Sequence, residues 1–583
     1  MNINEFPKKN SNNNLVLINC LLIFIIFLIT VKSFSSVDNI YMLNNHFFLN
    51  QNYFSEDIFL KDSTLFKYAF YYELLKFFKI NIDYDLHAFF LYFVLHATSF
   101  YFLFLTIKKI FPKFDTTLAI LIILALTTGK ASILLNGVMS NIVISHTSTP
   151  TALVSALNII FLYFLITRKI FLIILIPLLS LLISIKTAWF CVGVSIFYMI
   201  FFLEGKKKSV ALLPIIFSTW YLFKDLNIFS SIEENLKLYE FAYNREYYAT
   251  MFSKQNFVRL FIFFISFPIF YFFVKKIEND EIKKIFNLII IFQLAVFLLI
   301  LFTEMINIDH FKKWQLIAIS PVRSVAFYEL IFKIIAISLV LNIFFNKKKL
   351  IFFPFIFCTI FFYGFGFFGN ILAGIFFLIF LLLFIFKSKL NFKLNRNTIT
   401  LLTALLVLPT AIYINYKQFI TKITTEYYET EKRIFLKALP KNKYSVLNKY
   451  KNCKDFLFHD TTGNFYAEAQ GVNLDITKIK NWSSNSIIKK SLFFVDPVFL
   501  YGDILLLKRN DKNYKLITKI HENIKKNKEI EKSLVDLKNN ERLIILIKSD
   551  HKNIFEKSFL VYDDEFGYSF VLINYQKEIL ENC

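Results

Sequence analysis

The sequence predicts a polytopic α-helical membrane protein. It has about thirteen spanning helices, an N-terminus in the cytoplasm, a C-terminus outside, and a C-terminal extracytoplasmic α/β domain. Three observations predict it. The 583-residue chain is 56% hydrophobic with a mean hydropathy of +0.52, more apolar residue than a soluble domain carries along its whole length. The apolar residues come in blocks of roughly 17–23, the length that crosses ~30 Å of hydrocarbon at ~1.5 Å per residue. The basic residues gather in short runs between the blocks, as the positive-inside rule requires.

The formal net charge is +23. A balance this basic can mark a nucleic-acid partner, but most Lys and Arg sit in those inter-block runs, and no nucleic acid is expected. The 76 Phe and 30 Tyr accompany inflated Asn, Lys and Ile, the signature of an AT-rich genome, and are not read as a cofactor signal. Cys20, Cys191 and Cys358 fall in apolar blocks and are expected as buried thiols. Cys453 and Cys583 lie in the tail and can pair in an oxidising compartment. No CxxC or zinc spacing occurs.

Residues 1–14 form an Asn-rich, disordered cytoplasmic start. Lys8 and Lys9 then precede an apolar run over 15–31. Such a run can be a signal peptide, but its length and the lack of a small-x-small site favour a retained first helix. The transmembrane domain occupies 15–415. Further spans are expected at 87–107, 116–132, 149–167, 170–185, 188–203, 209–223, 257–274, 285–303, 323–345, 350–368, 370–386 and 398–415. With Lys8 and Lys9 in the cytoplasm, so are Lys108 and Lys109, Arg168 and Lys169, Lys206 to Lys208, Lys275 and Lys276, Lys347 to Lys349, and the basic run 387–396. One helix more or fewer would break this alternation.

The long pieces 32–86, 133–148, 224–256, 304–322 and 416–583 then face outward. The cytoplasmic loops are short and no GxxxxGK[ST] occurs, so no ATPase is built in. Chemistry is expected outside, or in cavities open to the outside. The tail 416–583 mixes elements: an amphipathic helix over 417–439, strands at 455–459, 492–495, 543–547 and 559–562, a charged helix over 514–538, and a hairpin over 559–575 turning at Glu565 to Tyr568.

In the first outer loop, 32–86, Glu56 and Asp57 stand upstream of a helical aromatic pattern: Leu65, Phe66, Ala69, Phe70, Leu74, Phe77 and Phe78. Lys67, Glu73, Lys76 and Lys79 make this helix too charged to span, so it is expected in the interface, aromatic face in lipid. A carboxylate held near the headgroups can take a proton from an attacking hydroxyl or hold a divalent cation such as Mg or Mn that neutralises phosphate; solvated loop acids are the alternative. Asp62, just before the helix, reads as an N-cap.

The loop 304–322 places His310, Lys312 and Lys313 outside, followed by Arg323 at a helix start, against the positive-inside expectation. Cations there can meet an anion such as a lipid phosphate; an interfacial anchor built on Trp314 and snorkelling Lys is the other reading. Arg323 has the sharper claim, because its guanidinium binds phosphate bidentately. Lys186, in a short outer turn beside Trp189, is a headgroup contact or a site cation. His146 precedes Ser148, Thr149 and Pro150, which read as a helix cap and first turn. The Tyr residues of 224–256 are a weak sugar-stacking signal.

A first helix, a long outer loop with the Glu56-Asp57 pair, an interfacial helix, many further spans and an outer C-terminal domain together resemble the GT-C superfamily of membrane glycosyltransferases. Glu56-Asp57 matches the place of that superfamily's first-loop catalytic aspartate. Gln315 and the Ser320-Pro321-Val322-Arg323 stretch are similar to a loop of uncharacterised bacterial members. Asn481-Trp482-Ser483 is no match for the Trp-Trp-Asp signature of oligosaccharyltransferases. The resemblance implies transfer of a sugar from a polyprenyl-phosphate carrier to a glycan or lipid acceptor on the outer face of a bacterial inner membrane. Asp57 would act as base or metal ligand, with Arg323 and His310 or Lys312 on the departing phosphate. A transporter or flippase and an O-antigen polymerase or ligase are the rival readings.

Overall fold

The structure is a computed structural model that describes residues 13–33, 69–80, 85–127, 149–205, 212–213, 215–216, 257–306, 323–345, 349–363, 366–386 and 395–423, and the strands 456–460, 542–548, 560–563 and 568–573. Within these, the chain is overwhelmingly helical. The helices are α1 (Asn13–Ser33), α2 (Ala69–Phe77), α3 (Asp85–Ile110), α4 (Thr116–Leu126), α5 (Pro150–Ile166), α6 (Ile170–Ile183), α7 (Ile185–Phe202), α8 (Phe257–Val274), α9 (Asp280–Ile306), α10 (Arg323–Phe344), α11 (Phe353–Phe362) behind a short 3-10 turn (Leu350–Phe352), α12 (Gly366–Ile385) and α13 (Arg396–Ile423).

Every predicted span except 209–223 coincides with one of these helices; of that span only residues 212, 213, 215 and 216 are described, all helical. Six of the described helices are long and apolar enough to cross a membrane. α4, α5, α6 and α11 are apolar but shorter, at 11, 17, 14 and 10 residues. The protein is therefore a multi-helix membrane protein. The short helices carry a physical message. The 14 residues of α6 cover only about 21 Å at ~1.5 Å per residue, less than the ~30 Å hydrocarbon core.

Local chemistry sets the ends. Thr149 caps α5, its hydroxyl accepting from the Ala152 amide at 3.3 Å, with Pro150 in the first turn, as the sequence predicts. Asp115 caps α4 in the same way, accepting from Leu118 at 2.6 Å. The segment predicted as an interfacial helix is helical over α2. Tyr71, Tyr72 and Leu75 are buried against the helical body, while Phe77 and Phe78 point outward. The three buried residues lie off the predicted stripe of Ala69, Phe70, Leu74, Phe77 and Phe78, on a different face of the helix. Cys191 and Cys358 are buried as expected, but Cys20 is exposed, because it lies on the outward side of α1.

Ion pairs gather at one end of the helical body. Lys113, between α3 and α4, meets Glu278, between α8 and α9, at 2.8 Å. Arg168, between α5 and α6, meets Glu281 at the start of α9 at 2.9 Å, and its guanidinium lies over the Phe202 ring at the end of α7. Arg396 at the start of α13 lies 3.8 Å from Asp115 and over Phe345, just past α10. These ends all belong to the side that charge alternation assigns to the cytoplasm. Exposed pairs of this kind contribute little stability, ~0–1 kcal/mol. Their value is as markers: six loops or helix ends meet on one face, as the alternation requires.

In the tail, β1 (Phe456–Asp460), β2 (Arg542–Lys548), β3 (Leu560–Asp563) and β4 (Tyr568–Ile573) form one sheet in the order β1-β2-β4-β3. The predicted hairpin is β3 and β4, antiparallel with Asp563 opposite Ser569. β1 and β2 run parallel, and a parallel pair needs a crossover connection, usually helical. The predicted helix 514–538 lies in that connection, outside the described residues, as do the predicted strand 492–495 and helix 417–439 beyond Ile423.

Candidate functional site

Three rings on three helices form a contiguous floor. Phe190 of α7 stacks on Phe327 of α10 with ring centroids 5.4 Å apart. On its other side it meets Phe161 of α5 edge-on at 6.3 Å. All three are essentially fully buried. Rings in such contacts add to ordinary area burial, so they fix α5, α7 and α10 against one another.

Polar residues lie within one helical turn of each ring, on its N-terminal side. Residues three or four apart share a helix face. Asn158 is three before Phe161, Thr187 three and Lys186 four before Phe190, and Arg323 four before Phe327. Lys186 and Arg323, two of the sequence-predicted cations, thus occupy the first turns of two helices that pack side by side. A helix start carries roughly +0.5 of an elementary charge and unpaired amide N–H groups. The start of α7 and the Arg323 guanidinium on the helix packed against it both favour an anion.

Arg323 has the clearest geometry. Its residue is half-buried, and its Nε is fully buried with no hydrogen-bond partner. A buried, charged donor left unmade is costly; an anion in this position would satisfy it. Arg323 also lies deep along the helical body. The next residue, Ser324, meets Gln293 of α9, with the Gln293 amide nitrogen 3.4 Å from the Ser324 carbonyl and the Ser324 hydroxyl 3.5 Å from Oε1. Gln293 is the midpoint of the 27-residue α9, so α9 runs on for about 20 Å past this level. The start of α7 is recessed too. The Asn158 amide nitrogen donates to the Thr187 carbonyl at 3.0 Å, and Asn158 lies about 12 Å along α5 from Pro150 at ~1.5 Å per residue.

Sequence reasoning missed a second feature. Glu329 and Lys333 form an ion pair at 2.9 Å within α10, with side chains 5% and 22% exposed. Lys333 sits at the middle of this 22-residue helix, about 15 Å from either end. The signal was readable: two opposite charges four apart inside an apolar block. Gln293 and Asn158, single amides in apolar blocks, were equally readable.

The remaining predicted site residues, Asp57, Glu56, His310 and Lys312, lie outside the described residues. For Lys186 the described residues give the helical position only. Among the described residues no group of three His, Cys, Asp or Glu side chains comes together to hold a metal ion; Asp57, the predicted ligand for Mg or Mn, is not one of them. Compared with protein-family models, with curated proteins and with solved structures, the chain matches none.

Proposed function

We propose that this protein is a membrane glycosyltransferase of GT-C type. It would move a sugar from a polyprenyl-phosphate donor to a glycan or lipid acceptor on the outer face of a bacterial inner membrane, with about thirteen spans and an outer α/β domain at 416–583. The observation that carries the reading is the Arg323 guanidinium, its buried Nε without a partner, deep along the helical body on the helix packed against α7, whose first turn bears Lys186. The phosphate of a lipid donor is an anion that reaches such a place from the membrane. In the reaction the acceptor hydroxyl oxygen attacks the anomeric carbon, and Asp57 takes its proton. The carbon–oxygen bond to phosphate breaks, and the electron pair leaves on the phosphate, where Arg323, with His310 or Lys312, stabilises it.

The experiment compares glycolipids and surface glycans of a deletion strain with its parent, and with strains carrying Asp57→Asn or Arg323→Ala. Each variant should lose the glycan modification at normal expression. Parental profiles in both variants would overturn the reading. One observation favours a second reading, a transporter or flippase: Glu329 and Lys333 are ionised groups in the middle of a spanning helix, a common mark of substrate or ion pathways.

A further inference from the structure

Two buried polar atoms near the recessed start of α7 have no partner. Asn158 donates its amide N–H to the Thr187 carbonyl at 3.0 Å, which leaves Asn158 Oδ1 as an acceptor without a hydrogen bond. Thr187 Oγ1 is likewise unpaired. Both residues are 1% exposed. The amide orientation is fixed by its bond, since the opposite orientation would set oxygen against oxygen. At the head of α7, Ser184 makes no side-chain capping bond. In a helical body inside lipid there is no bulk water to satisfy such groups, and each costs several kcal/mol unless something bonds it.

The chemistry of the two atoms names their complement. Oδ1 accepts and the hydroxyl both donates and accepts. Oδ1 can only accept, so it offers an anion nothing, while the hydroxyl can serve an anion or a neutral group. A neutral group with hydroxyls fits both. Asn158 and Thr187 sit one turn before Phe161 and Phe190, as Arg323 sits one turn before Phe327, and these rings are in contact.

We propose that Asn158 and Thr187 form a subsite for the sugar of the lipid-linked donor, bonding its hydroxyls while Arg323, on the helix packed against α7, holds the phosphate. The proposal rests on the glycosyltransferase reading and adds to it the residues that tell a loaded carrier from an empty one. A bare polyprenyl phosphate would meet only the cations. A polyprenyl monophosphate carrying one hexose would also meet Asn158 and Thr187. A bound water can supply the same hydroxyl chemistry, and the test separates the two.

The test measures binding of two probes to the full chain in nanodiscs: a polyprenyl monophosphate, and the same lipid carrying a single hexose, taken in turn as glucose, galactose and mannose. The proteins are the parent, Asn158→Ala, Thr187→Val, Thr187→Ser and Arg323→Ala. The parent should bind at least one hexosyl probe about tenfold more tightly than the bare lipid, the value of one good hydrogen bond or slightly more. Asn158→Ala and Thr187→Val should bring the two probes to parity and leave the bare lipid's affinity unchanged. Thr187→Ser, which keeps the hydroxyl, should restore the preference; this guards against a variant that merely misfolds. Arg323→Ala should weaken both probes. If neither substitution changes the preference, or if both probes weaken equally, the pair holds water or packs the helices and the subsite is refuted, while loss of both probes in Arg323→Ala still upholds the phosphate reading. If the parent binds neither probe, the reading itself fails, and the subsite with it.

Discussion

The ion pair inside α10 makes a sharp quantitative prediction. Glu329 and Lys333 are 2.9 Å apart, with side chains 5% and 22% exposed. At an effective dielectric near 20, two unit charges at that distance attract by about 6 kcal/mol, against which stands the cost of taking both out of water. Replacing Glu329 by Gln removes one charge and leaves an ammonium in the middle of a buried helix. Such a break costs ~3–5 kcal/mol, and the partial exposure of Lys333 puts this case near the lower end. Replacing both by Leu leaves no charge behind and should bring stability back to within ~1 kcal/mol of the parent. The assay can use the protein's own thiols. Cys191 and Cys358 are buried and Cys20 is exposed, so with Cys20, Cys453 and Cys583 changed to Ser, a thiol-reactive dye reports only unfolding of the helical body. The expected order of midpoints is parent and double variant together, Glu329→Gln well below. If Glu329→Gln unfolds with the parent, the pair is not a desolvated ion pair. If the double variant falls as far as the single one, charge compensation is not what the pair provides. The same double variant divides the two functional readings, since glycosyl transfer should survive it and a charge-coupled transport pathway should not.

Three further predictions follow from the geometry. Arg323→Lys keeps the charge but loses the planar fork, so donor binding should fall by roughly 10–100-fold, the cost of a charge-assisted bond, measured as KM for the lipid donor; full activity in this variant would show that a point charge suffices. Gly193 receives the edge of Phe292, and a Cβ there would lie 2.1 Å from that ring, so Gly193→Ala should destabilise by ~1–3 kcal/mol in the same dye assay, and Phe292→Leu should relieve part of it. Single cysteines replacing Lys113, Glu278 and Arg396 should all be labelled by a membrane-impermeant reagent from the same side, because the ion pairs gather these ends; labelling of any one from the opposite side would break the charge alternation.

The helices were legible because lipid imposes a simple rule: every backbone polar group is satisfied within the segment, and apolar blocks of the right length announce it. Their lengths were less legible. The sequence reads 170–185 and 188–203 as two adjacent spans, and α6 and α7 do meet at Ser184, but at a point that Asn158 locates well below the start of α5. Hydropathy counts residues and cannot tell a turn at the surface from a turn inside the body. The buried face of α2 shows the same limit. Tyr71 and Tyr72 are core residues there, and only a neighbouring helix decides that, not the periodicity of one helix.

The candidate site divides along the same line. Arg323 and Lys186 stood out because cations on the outer side oppose the positive-inside rule, an argument that needs only sequence. Their proximity could not be read there, since Phe190 and Phe327 are two among 76 phenylalanines and nothing in the pattern pairs them. The structure supplies the pairing of the rings, and it sets the start of α7 inside the body, level with Asn158. A spanning helix that starts at the surface spends its positive end on water. One that starts at depth, as α7 does, keeps that charge in a low dielectric where it acts strongly. A buried Arg323 Nε costs desolvation unless something bonds it, and Asn158 Oδ1, also without a partner, is an acceptor and offers an anion nothing. The proposed donor, with a phosphate at one end and hydroxyls at the other, would answer both.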